Sequence, residues 1–250
     1  MTVAISLTES NVFAALRSVL LGFPLTSSDP NCGVAIVRGL VNRVPEPKDG
    51  DFIVMWPLSR FRLATNIDAW SDSNCVGSIA AGILTVTSLA LGTIIPGVQL
   101  FNNVGVNCSI VAQLTQIGPN PGGLGTYSVS APQANTSSGT IYFGTLTAIQ
   151  YTDMAIQCDV HGPNSGDNAQ IISTLMRDWY GVNAFEEQGF DIQPLYADDP
   201  RQIPFINAEQ QYEERWSVDV RLQINPIVTV TQQFADALVA STILVEAAFP

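Results

Sequence analysis

Charge is what this sequence has least of, and it is missing in a pattern. No Asp, Glu, Lys, Arg or His occurs between Asp72 and Asp153, and charged residues make up only 13% of the 250 residues, about half the usual share. Apolar content is ordinary, so Ser, Thr, Asn, Gln and Gly fill the deficit, a β-rich bias rather than a disordered one. Basic residues are scarcer still: there are ten, none between Arg62 and Arg177, and the formal net charge is -12. Gripping nucleic acid through its phosphates needs clustered Lys and Arg, which makes the chain a poor candidate for that role. An acidic wall is still compatible with DNA as a neighbour, because DNA slides past it without sticking.

Other absences narrow the class further. Cys32, Cys75, Cys108 and Cys158 are widely separated, with no C-x-x-C pair and no histidine at ligand spacing, so they read as free thiols in a reducing compartment. The first residues, "MTVAISLTESNVFAALRSVLLGFPL", lack a basic start and carry Glu9 early, unlike a secretory signal, and synthesis in the cytoplasm is expected. The most apolar run, "SIAAGILTVTSLALGTIIPGVQL", is broken by Gly82, Gly92, Pro96 and Gly97 and suits strands better than a membrane span. Length alone allows one large domain or two smaller ones, each with its own core.

What is present has two textures. From Ser6 to about Leu21 the pattern predicts a helix, with Ser6 and Glu9 placed for a capping box and Phe13, Leu16, Val19 and Leu20 on one face. "VAIVRGLVNRVPEP" and "DGDFIVMWPL" read as strands, and "SRFRLATNIDAW" as a half-exposed strand with Arg60 and Arg62 on one side, Phe61 and Leu63 on the other. From about Ser71 to Gly144 the chain changes to short strands punctuated by Gly, Pro and Asn: "GILTVTSL", "GVQLF", "SIVAQLTQI", "GTYSVS" and "TIYFG". That spacing predicts a small all-β sandwich or barrel.

Charge returns after Thr145. Met154, Ile156, Cys158 and Val160 alternate with Asp153, Ala155, Gln157 and Asp159, which marks a strand with one buried and one wet face. "NSGDNAQIISTLMRDWYG" predicts one helix, capped by Asp167 or Ser165, striped by Ile171, Ile172, Leu175, Met176 and Trp179, and closed by Gly181. In "YEERWSVDVRLQINP", Trp216, Val218, Val220, Leu222 and Ile224 face inward and Arg215, Ser217, Asp219, Arg221 and Gln223 outward; "IVTV" and a terminal helix in "QQFADALVASTIL" follow. The order predicts an α+β domain, residues 1–70 with 145–250, whose mainly antiparallel sheet carries helices on one face. An inserted all-β domain, residues 71–144, interrupts it.

Chemistry is hard to find. His161, the only histidine, lies near Asp159, Ser165 and Asp167, but there is no G-x-S-x-G elbow, and it reads as the structural end of a strand. Asp198 and Asp199 form an acidic loop without the spaced oxygens of a calcium site, and the pairs Glu186–Glu187 and Glu213–Glu214 are adjacent residues that diverge. "GPNPGGLG" lacks the Lys and helix of a phosphate loop and reads as a hairpin turn. Trp56, Trp179 and Trp216 fit core positions, and Trp70 fits packing at the mouth of the insertion. No residue is singled out as catalytic, cofactor-binding or metal-binding.

The blocks "LVNRVPEPKDGDFIVMWPLSRFRLATNIDAW", "DVHGPNSGDNAQIISTLMRDWYG" and "YEERWSVDVRLQINPIVTVTQQFADAL" resemble successive blocks of tailed-bacteriophage neck and tail-terminator proteins, over most of residues 8 to 70 and 145 to 245. The middle tract is similar to a small β module that recurs as an insert or appendage in phage structural proteins, and family members often lack it at this place. The resemblance implies a virion structural protein, not an enzyme, assembled in the host bacterial cytoplasm. Its partners would be itself in a ring, usually of six copies, the tail tube and sheath, and the head-side connector or neck proteins. DNA would pass through without being specifically bound, and no cofactor or membrane would take part. Two alternatives stand beside it: another head-tail joining or baseplate protein, and a carbohydrate-binding or adhesion module acting through the inserted domain, with Tyr127, Tyr142 and Phe143 as candidate sugar contacts.

Overall fold

The computed structural model describes residues 4–39, 50–102, 106–130, 136–206 and 212–232. They fall into two compact units, one built from Ile5–Ile67 and Ala148–Val228, the other from Asp68–Thr147 with short pieces of chain at Ala4 and from Thr229 onward. In chain order the elements are β1 (Ala4–Ile5), α1 (Glu9–Leu21), β2 (Ala35–Arg38), β3 (Phe52–Arg62), β4 (Ile67–Ala80), β5 (Ile83–Leu91), β6 (Gln99–Phe101), β7 (Asn107–Ile117), β8 (Leu124–Val129) and β9 (Thr136–Ile149). They continue with β10 (Thr152–His161), α2 (Ser165–Met176), α3 (Trp179–Glu186), β11 (Ile192–Ala197), β12 (Arg201–Gln202), β13 (Phe205–Ile206), β14 (Tyr212–Glu213), β15 (Arg215–Ile224) and β16 (Ile227–Thr231). The expected terminal helix lies outside the described residues, as does most of "GLVNRVPEP" after β2. No described helix is long and apolar enough to cross a membrane.

The first unit is an open mixed sheet in the order β11-β15-β10-β3-β2, with β12 also paired to β15. Only β2 and β3 run parallel; the other described pairs are antiparallel. Direct opposition of Cys158 with Val218, Ile156 with Val220 and Met154 with Leu222 makes one face of the sheet apolar, as the period-two pattern demands. That face and the three helices share one core, to which α1 gives Val12, Phe13, Leu16, Val19 and Leu20, α2 gives Ile172 and Met176, and α3 gives Phe185. β3 runs unbroken through Pro57 because Leu58 is an extra residue opposite the Ala155/Ile156 step, and such a bulge is where a strand tolerates proline.

The helix ends depart from expectation. Thr8, not Ser6, caps α1, and Asn11, not Glu9, completes the capping box. Glu9 is thereby left to bridge Arg38 and Arg60, at 2.8 Å in the second case. The single helix expected over 164–181 is two helices. Asp178 accepts the Tyr180 N–H at 3.0 Å and starts α3 afresh, the local competition by which Asp caps rather than continues a helix. Trp179 consequently leaves the apolar stripe and is 69% exposed, and Phe185 takes the buried place. Gly181 does not close a helix but lies inside α3, where a Cβ would stand 2.5 Å from the Leu175 carbonyl oxygen.

The second unit is a six-strand antiparallel barrel. Its strands follow the order β9-β4-β5-β8-β7-β6, and the pair Phe101–Tyr142 joins β6 back to β9. The core is Cys75, Ile79, Leu84, Val86, Leu100, Ile110, Tyr127, Ile141 and Phe143 with their neighbours. Outside, hydroxyls pair with each other: Thr115 and Thr126 Oγ1 atoms lie 2.7 Å apart, and Ser109 and Ser130 Oγ atoms 2.8 Å apart. The uncharged tract is therefore a self-contained barrel whose outer Ser and Thr side chains find partners across the strands. Trp70, expected to pack, is 61% exposed on β4.

Phe185→Ala is expected to lower the unfolding free energy by about 4 kcal/mol, and Trp179→Ala by less than about 0.5 kcal/mol. Chemical denaturation of the two variants checks this, and equal losses would contradict the break between α2 and α3.

Candidate functional site

Buried polar groups gather where β10 ends and α2 begins. Asp51, only 1% exposed, accepts the Ser28 N–H at 2.7 Å and the Asn164 N–H at 2.8 Å, and the Asn164 side chain donates to it at 3.1 Å. One carboxylate thus holds the loop after α1, the start of β3 and the approach to α2. Gly162 has φ +105, and a Cβ there would meet Asp51 Oδ1 at 2.7 Å, so the turn leaving β10 requires glycine on both conformational and steric grounds. One turn further, Asn168 is fully buried. Its amide accepts the Thr26 N–H and donates to the Thr26 carbonyl, both at 2.8 Å, which mimics a strand partner for a loop that has none.

The sheet face away from the helices is polar and paired. Arg215 meets Asp159 at 2.5 Å, Arg221 meets Asp153 at 2.9 Å, and Arg201 meets Asp219 at 2.7 Å. Gln157 donates to both Asp159 and Ser217, at 2.8 and 2.7 Å. The expected wet face is therefore half closed: Ala155, Asp159 and Ser217 are buried, because β10 and β15 are inner strands whose long neighbours fold over them.

His161 belongs to this architecture. Its ring stacks on Phe52 at 4.5 Å between centroids, and Nδ1 lies 3.1 Å from Glu213 Oε1. Ser165 Oγ is buried without a hydrogen-bond partner, so it is not joined to His161, and Asp167 lies exposed in the first turn of α2. No nucleophile, base and orienting acid come together among these residues. Asp199 pairs with Arg177 at 3.1 Å, and the described residues contain no group of three His, Cys, Asp or Glu placed to hold a metal ion. The glycine-rich "GPNPGGLG" links β7 to β8 as a hairpin.

The sugar-binding reading loses two of its three aromatics. Tyr127 and Phe143 are barrel core, with the Tyr127 hydroxyl donating to the Gly123 carbonyl at 2.6 Å, and only Tyr142 is open, at 42%. A single ring does not make an aromatic platform.

The thiols are inert by placement. Burial pushes Cys75 and Cys108 up to about 11, and Cys158 higher still, through burial first and the nearby Asp159 and Asp219 second. Only Cys32 is exposed among the four free cysteines. Reactivity follows the thiolate.

Sequence reasoning named His161 and missed Asp51, Asn164 and Asn168. The signal was present in "DGDFIVM" and "GPNSGDNAQ", where small polar residues abut apolar runs, but nothing in it says which loop each residue reaches.

Asp51→Ala strands several buried donors and is expected to cost about 3 kcal/mol; an unchanged melting temperature would contradict the node. At pH 8 a maleimide should label the folded chain once, at Cys32, and four times after unfolding. Labelling of a buried thiol at the Cys32 rate would overturn its assigned burial.

The sequence model of a family described as phage neck terminator protein matches residues 90–246. The match takes in the end of β5, the barrel strands β6 to β9, and everything from β10 to β16, while β4 and most of β5 lie outside it. The second and third resemblance blocks fall within it, and the block before Trp70 falls outside. No curated protein matches the chain. With well over half its length so matched, the chain belongs to the phage neck terminator protein family, structural proteins of the virion neck.

Proposed function

We propose that the chain forms a closed ring of identical copies, six as the resemblance implies, which ends the tail tube and joins it to the head-side connector. The observation that carries this is the open sheet of the first unit. Among the described residues β2 and β11 each have one side without a strand partner, and paired edges are the usual fate of such strands in assemblies. Charge supports passage of DNA through the ring. The net charge is -12, and the arginines of the polar sheet face, Arg201, Arg215 and Arg221, are each matched by an aspartate. Guanidinium groups so neutralised offer little to phosphates. The barrel, uncharged from Ser73 to Thr147, serves as a decoration or a contact with neighbouring virion proteins, which can cover that part of it without burying charge.

Native mass spectrometry of the purified chain, with negative-stain imaging of the same sample, tests the ring. A single closed oligomer with a central hole is the expected result. A chain that stays monomeric, alone and with purified tail tubes, would contradict it.

A further inference from the structure

We propose that neighbouring copies join head to tail through the two ends of the open sheet, the β2 edge with α1 of one copy receiving the β11 edge of the next. This rests on the ring reading and names the surfaces that make the ring.

The main chain is complementary at the two edges. Ala35 donates to the Asp51 carbonyl at 3.2 Å and Gly39 to the Met55 carbonyl at 2.8 Å. Residues 35, 37 and 39 therefore face β3, and the parallel alternation turns the groups of Ile36 and Arg38 outward. Arg17 Nε already donates to the Ile36 carbonyl at 3.0 Å. Among the described residues, the outward main-chain groups of β2 beyond that bond are the N–H groups of Ile36 and Arg38, two residues apart, and the Arg38 carbonyl.

The other edge is the reverse. Asn225 donates to the Asp191 carbonyl at 3.3 Å, which sets Gln193 toward β15 and turns Ile192 and Pro194 outward. Pro194 has no N–H, and the Ile192 N–H is spent on the Phe190 carbonyl at 2.8 Å. Here the edge presents two carbonyl acceptors, also two residues apart.

Charge and shape agree with that pairing. Among the described residues Arg17, Arg38 and Arg60 stand around β2, and Glu9 bridges the last two. Asp191 precedes β11, and Asp198 and Asp199 follow it; the described bases nearby are each held by an aspartate, Arg177 by Asp199, Arg201 by Asp219 and Arg221 by Asp153. A groove of about 280 Å³ beside β2 is floored by Phe13, Ala14, Ile36 and Met55, while β11 shows Leu195 and Tyr196, both exposed. Like does not suit like: β11 against β11 sets carbonyl on carbonyl and carboxylate on carboxylate, and β2 against β2 sets guanidinium on guanidinium. A contact between unlike edges is heterologous, the kind that closes into rings rather than two-fold dimers.

Hydrogen exchange on the full chain, assembled and then dissociated by dilution, reads the edges directly. The amides of Ile36 and Arg38 should exchange at least about tenfold more slowly in the assembly. Charge reversal gives an independent reading: Asp191→Lys and Arg17→Glu should each weaken self-association about tenfold, and the doubly substituted chain should recover it. An oligomer that forms without protecting these amides, and without rescue in the double variant, overturns the edge contact while leaving the ring. A chain that never assembles overturns both.

Discussion

The first unit depends on one buried carboxylate. Asp51 is removed from water and compensated by donors from two other segments, an arrangement that is costly only when a partner is missing. Its donors are separated from it by 23 and 113 residues in the chain, so the bond network ties together the loop after α1, the start of β3 and the approach to α2. The stacked pair Phe52–His161 and the Asp159–Arg215 bridge extend the same tie across β3, β10 and β15. A chain poor in charge has spent several of its few charged side chains on holding its sheet together.

His161 and Asp159, which the sequence placed near a possible catalytic group, are each engaged by a neighbour in the structure, as are Asp51 and the arginines of β15. The barrel, uncharged beyond Asp72, follows the opposite rule: it closes on an apolar core and pairs outer hydroxyls across strands.

Periodicity carried the reading of α1, β10, β15 and the barrel strands from β5 to β9, because each has one face that must be apolar. β4 was not legible, since its Ser, Asp and Asn positions blur the alternation and Trp70 looks like a residue to be buried. The division of α2 from α3 was hidden for a related reason. Asp178 sits where a helix surface residue also fits, and only its bond to the Tyr180 N–H shows it to be a cap. The capping of α1 was misplaced by two residues because Ser6–Glu9 and Thr8–Asn11 satisfy the same local pattern. The partners of Asp51 and Asn168 were not legible, because side chains that serve distant loops leave no periodic trace of what they reach.

The family gives the chain a structural role in the neck. Cross-linking mass spectrometry of intact virions addresses it most directly. The account predicts cross-links from this chain to itself and to proteins of the head-tail junction. Cross-links confined to fibre or baseplate proteins, or absence of the chain from finished particles, would contradict it.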